Sequence, residues 1–150
     1  MLFARQDGGG GRTVLGSPDL DAFIRERQWA VMTTLRGSGQ PASSVVGYAI
    51  EGDELLVAAD ETSLKVRCLK SDARLTLCVF SDDPQPRFAT IEGRGAVQRQ
   101  GIDEAKKRVL SDTVPRGHAA SQIETWLERP ATLILRVQAA RVWGELSPSA

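Results

Sequence analysis

Thr62, Ser63 and Lys65 open the run Thr62-Ser63-Leu64-Lys65-Val66-Arg67-Cys68-Leu69-Lys70, which follows a strand-like apolar stretch. The run predicts a short helix over Thr62 to Ser71. Its first turn offers free backbone N–H groups and the positive end of the helix dipole. Two hydroxyls and an ammonium at that end add donors, so the chemistry indicated is anion binding, with phosphate as the obvious anion. A plainer reading stands beside it: Thr62 caps the helix, and Lys65 and Lys70 project into water.

Other constellations are weaker. His118 is the only histidine. That excludes a histidine-rich metal centre, and its place after Pro115-Arg116-Gly117 suits a solvated helix end. Gly37-Ser38-Gly39 falls in a hairpin turn rather than between strand and helix, which a nucleophile elbow needs. Asp60-Glu61 and Asp82-Asp83 lack neighbours at metal-ligand spacing, so no metal site is expected. Gly8 to Gly11 has no preceding strand and is read as a flexible lead-in, not a dinucleotide fingerprint. Lys106-Lys107-Arg108 reads as the wet face of a helix. Trp29, Trp126 and Trp143 read as core or interface anchors, with Trp143 alternatively a pocket wall. No protein catalytic residue is expected. A phosphate seat without acid–base machinery fits a cofactor that carries the chemistry itself.

The elements that position this helix follow from pattern. Ser17-Pro18 is a cap with proline at the first helical position, opening a helix to about Arg27. Strands are expected at Trp29–Leu35, Pro41–Ile50, Glu54–Ala59, Arg74–Phe80 and Arg87–Gln98, with Gly93 and Gly95 marking a bend or bulge. Helices are expected over Ile102–Val114 and His118–Arg129. Ala131–Gln138 is a sixth strand, and Ala139–Leu146 a seventh after a small break. This order argues for a mainly β fold, a six- to seven-stranded antiparallel barrel decorated by helices. Residues 1–16 are the lead-in and 17–150 the domain.

The 150 residues hold 19 Lys+Arg and 19 Asp+Glu. That balance gives no field toward nucleic acid or anionic lipid. No apolar run approaches the roughly 20 residues of a membrane span, and the N-terminus has no signal-peptide pattern. Cys68 and Cys78 do not make a disulfide framework and read as reduced thiols of a cytoplasmic protein.

Three stretches carry a family resemblance: Ala30-Val31-Met32-Thr33-Thr34 after the first helix; Gln40-Pro41-Ala42-Ser43-Ser44-Val45-Val46; and Lys65-Val66-Arg67-Cys68-Leu69-Lys70-Ser71-Asp72-Ala73-Arg74-Leu75-Thr76-Leu77. Glu92-Gly93-Arg94-Gly95-Ala96-Val97 adds to them. In this order the chain, from about Ser17 to Leu146, resembles the pyridoxamine 5'-phosphate oxidase-like split β-barrel and, within it, the flavin/deazaflavin-dependent oxidoreductases. The resemblance implies a homodimer with the cofactor at the interface, and hydride transfer between coenzyme F-420 (a deazaflavin) and a small unsaturated or quinone-like molecule. FMN is the alternative cofactor, and a non-catalytic flavin- or deazaflavin-binding module the alternative role. Carried over by position, Lys65 meets the cofactor phosphate with Thr62 and Ser63 nearby. Ser43, Ser44, Val45 and Val46 line the ring edge, and Ala58, Ala59 and Asp60 approach the cofactor tail. Lys70 adds to a basic flank, about 140° from Lys65 around the helix. Ser63 and Cys68 are read as departures from the family pattern.

Overall fold

The computed structural model describes residues 14–113 and 131–147. The expected helix at His118–Arg129, with His118 and Trp126, lies outside the described residues, as does the glycine lead-in.

Helix α1 (Pro18–Arg25) begins where the sequence places it: Ser17 Oγ accepts the Leu20 N–H at 3.2 Å, and proline occupies the start. Six strands then form one closed antiparallel barrel: β1 (Trp29–Leu35), β2 (Pro41–Glu51), β3 (Glu54–Asp60), β4 (Arg74–Ser81), β5 (Arg87–Gln98) and β6 (Thr132–Glu145), in the spatial order β1-β2-β3-β6-β5-β4. Closure removes the free sheet edges that would otherwise template aggregation. Alternation along the strands fills the interior with Ala30, Met32, Leu55, Val57, Leu77, Ile91, Leu135 and Val137. Each buried aliphatic side chain of this kind contributes about 1.5–3 kcal/mol. Helix α2 (Leu64–Ser71) packs Val66 and Leu69 onto this core, and α3 (Asp103–Thr113) covers β2 and β3 from outside through Ile102, Ala105 and Val109.

Two expectations change. The possible seventh strand is the second half of β6. Glu92 faces Arg141 but Gly93 faces Ala139, so Ala140 is unopposed and bulges from an otherwise continuous strand. The break read in the sequence is this bulge, which twists the strand without ending it. The basic triplet is not uniformly wet either: Lys106 is buried, while Lys107 and Arg108 stay outside and pair with Glu104 and Glu51.

The register between β2 and β3 matters most for the site. They pair only from Tyr48↔Val57 to Glu51↔Glu54. Toward the start of β2 they part. Residues 41–47 of β2 stay paired to β1, and Ala58, Ala59 and Asp60 stay paired to β6. The barrel is split between those two segments.

Gly93 marks how tight the bulge is, since a Cβ there would lie 2.2 Å from the Gln138 carbonyl oxygen. Gly93→Ala is expected to cost about 1–3 kcal/mol, seen as a lowered midpoint in thermal or urea unfolding. An unchanged midpoint would contradict this register.

Candidate cofactor site

A cleft of about 260 Å³ opens where β2 and β3 part. One wall is Trp29, Val45, Val46 and Gly47; the other is Ala58, Ala59 and Asp60, with Ser63 and Lys65 from the start of α2. Val109 and Leu110 of α3 and Thr132 of β6 close it. Because β2 and β3 do not pair here, Val45 to Gly47 and Ala58 to Asp60 have ladder positions toward the cleft that no described strand fills.

The turn into α2 builds one end of the cleft. Asp60 Oδ1 accepts the Thr62 N–H at 2.8 Å and the Thr62 hydroxyl at 2.6 Å. The Asp60 carbonyl accepts the Ser63 N–H at 3.0 Å and the Ser63 hydroxyl at 2.7 Å. Glu61 N–H donates to the Ala131 carbonyl at 2.8 Å, tying the turn to β6. Both hydroxyls expected to serve an anion are therefore engaged by Asp60. The helix begins at Leu64, with Ser63 rather than Thr62 as its N-cap. The competition is local: an aspartate two residues back captures the threonine in a turn before it can cap.

The consequence favours anion binding all the same. The Ser63 side chain makes no capping hydrogen bond, so nothing on that side chain satisfies the first N–H groups of α2. Those donors, the dipole and the half-buried Lys65 converge on the cleft. The Asp60 carboxylate borders the same cleft.

Of the eleven residues the sequence nominated, seven line this cleft: Val45, Val46, Ala58, Ala59, Asp60, Ser63 and Lys65. The other four do not. Thr62 is held in the turn. Ser43 is exposed and its hydroxyl lies 2.8 Å from that of Thr33 on the outer sheet face. Ser44 and Lys70 are exposed and outside the cleft lining. Cys68 is buried, facing the core, so it bears on packing rather than on the cleft. Arg74 does not extend a basic groove from Lys65. It is paired to Asp72 at 2.8 Å, its hydrogen bonds hold the Asp72 carboxyl down at about 2, and it lines a separate groove with Arg94 and Gln138.

The sequence reading missed Trp29, Gly47, Val109, Leu110 and Thr132. Trp29 had a legible signal: Ala30, Met32 and Thr34 point inward, so period two puts Trp29, Val31 and Thr33 outside. It is 47% exposed and so is not part of the core, which leaves the interface reading. Trp143 packs edge-on against Phe88 with ring centroids 5.6 Å apart, away from the cleft.

The model of the pyridoxamine 5'-phosphate oxidase family matches residues 17–144. The chain belongs to that family. It is similar to a biliverdin reductase of Mycobacterium tuberculosis that depends on reduced coenzyme F-420, with 29% identity over 128 residues covering 85% of this chain and 87% of that protein. Solved structures share the fold. A conserved hypothetical protein of Mycobacterium tuberculosis superposes with a TM-score of 0.70 at 18% identity, over 93% of this chain and 94% of that one. An F-420 reductase does so at 0.65 and 15% identity, over 81% and 94%. This family member has the barrel expected of it, and its relatives point to an oxidoreductase using a flavin-type cofactor.

The residues present fit such a group: a helix start whose N-cap side chain makes no capping bond at one end of the cleft, and, among the described residues, apolar walls where β2 and β3 do not pair along it. Asp60→Ala removes the acceptor that holds Thr62 in the turn, so cofactor affinity in equilibrium titration should fall; an unchanged affinity would show that this turn does not shape the cleft for a ligand.

Proposed function

We propose that the protein is an F-420-dependent oxidoreductase that transfers hydride between the deazaflavin and a small unsaturated or quinone-like molecule. The observation that carries this reading is the uncapped start of α2 beside Lys65, set at the end of a cleft with free strand edges. When bound, the cofactor supplies the hydride chemistry; the chain binds, orients and shields. Lys65 and the N–H groups of Leu64, Lys65 and Val66 hold the phosphate. The backbone of Val45 and Val46 hydrogen-bonds the ring edge, and Val45, Val109 and Leu110 exclude water from it. No side chain need act as an acid or base. The relative named for reducing biliverdin with reduced F-420 supports the choice of cofactor.

FMN is the second reading, favoured by one specific feature. Only one lysine lines the cleft, and Lys70 lies outside it. A single terminal monophosphate matches Lys65, the one basic side chain among the described residues that line the cleft.

The site is completed by a second copy of the chain. A cleft of about 260 Å³ falls below the roughly 300–1,000 Å³ of ligand pockets that enclose their ligand. Val45 is 68% exposed at its rim. From there a row of paired positions runs across the sheet through Val31, Cys78, the buried Thr90 and Trp143, with Phe80 and Phe88 beside it. The exposed Val45, Phe80 and Trp143 on this face suit an interface. A homodimer with the cofactor at its seam covers the row and encloses the cleft. No described helix is long and apolar enough to cross a membrane. Free Cys68 and Cys78 agree with a reducing, cytoplasmic setting.

Lys65→Ala should weaken F-420 binding by more than about 1 kcal/mol, or more than fivefold, the scale of a charge-assisted hydrogen bond. Fluorescence titration measures this, and an unchanged affinity sinks the assignment. Val45→Glu should both shift sedimentation toward monomer and weaken the cofactor. A monomer that binds as tightly as wild type contradicts the shared site.

A further inference from the structure

Trp29 is the feature of the cleft that phosphate binding and enclosure leave unexplained. It is the first residue of β1 and stands directly across from Gly47, which has no side chain to cover the indole from β2. It is 47% exposed although its strand neighbours Ala30 and Met32 are fully inside. It borders the same cleft as Val45 and Lys65. A large aromatic held half in water beside an apolar cleft leaves a stacking surface available to whatever enters.

We propose that Trp29 discriminates between the oxidation states of the bound cofactor, holding the oxidised ring more tightly than the reduced one. The inference rests on the cleft being the cofactor site. The indole is the most electron-rich neutral side chain. An oxidised flavin or deazaflavin is a flat, electron-poor ring, and its favourable face-to-face contact with indole is largely electrostatic and dispersive. Two-electron reduction, with hydride entering the ring, fills the acceptor system and removes that complementarity. A group that binds one state better shifts the equilibrium by that differential affinity and by nothing else. Preference for the oxidised ring therefore lowers the potential of the bound couple. It makes the reduced cofactor a stronger hydride donor, the direction a reductase requires.

The test uses the full-length protein and titrates F-420 and FMN separately, each oxidised and each reduced with dithionite, against wild type, Trp29→Phe and Trp29→Ala. Wild type should bind the oxidised forms more tightly and show an absorption shoulder beyond the ring's own band, the signature of indole–ring charge transfer. Trp29→Ala should lose about tenfold for the oxidised ring, within the range of an aromatic stacking pair. Its loss for the reduced ring should be about threefold or less, with the shoulder gone. Trp29→Phe keeps the packing with a less electron-rich ring and should fall between. Equal losses on both forms would reduce Trp29 to a packing residue and overturn the proposal. So would a variant whose only change is in the monomer–dimer equilibrium, or no change at all. A wild-type protein that binds neither cofactor overturns the cofactor reading itself, and the proposal with it.

Discussion

The site depends on a pairing that stops early. β2 and β3 share four residue pairs, from Tyr48↔Val57 to Glu51↔Glu54, and then separate. Neither strand is left unsupported, because β1 holds the first half of β2 and β6 holds the end of β3. The gap costs little in ladder bonds while opening a slot into a barrel that is otherwise closed. Everything assigned to the cofactor lies on the rims of that slot or at its end.

Strand β6 carries much of the burden. It runs against β3 from Asp60↔Thr132 to Glu54↔Gln138 and against β5 over nearly its full length. The bulge at Ala140 lets one strand serve both neighbours despite the twist of the sheet. Its first residues also fix the turn at Asp60, through the bond from Glu61 to Ala131. Closure of the barrel and placement of the α2 terminus are thus parts of one arrangement. Gly95 belongs to it too: a Cβ there would lie 2.7 Å from Leu75 and 3.1 Å from Leu69, so its absence lets α2 settle on β4 and β5.

Much of this was legible in the sequence, because period two and turn chemistry are local signals. The Ser17-Pro18 start and the described strands before β6 follow from them, with boundaries close to those observed. The bulge appeared as a break because a single extra residue disturbs alternation as a turn does. The lining of the cleft was legible where position along a strand decided it, as with Val45, Val46, Ala58 and Ala59, and where a helix start did, as with Lys65. It was not legible where a side chain chose among local partners. Thr62 looks like a cap until Asp60 is seen to hold it, and Ser63 then caps by position while its hydroxyl points back to Asp60. Trp29 was read as a core or interface anchor and not as part of the cleft, although its own strand's alternation puts it outside. Val109, Leu110 and Thr132 reach the cleft only through tertiary packing, for which no local pattern exists.

The central claim is that the open N–H groups at the start of α2, with Lys65, receive the cofactor phosphate. Amide chemical shifts of the labelled protein, followed by NMR as F-420 or FMN is added, test it directly. The account predicts that the largest changes fall on the N–H groups of Leu64, Lys65 and Val66, with smaller ones along Val45 to Gly47. Changes centred instead on the groove of Arg74 and Arg94, or saturation without movement of the α2 amides, would contradict it.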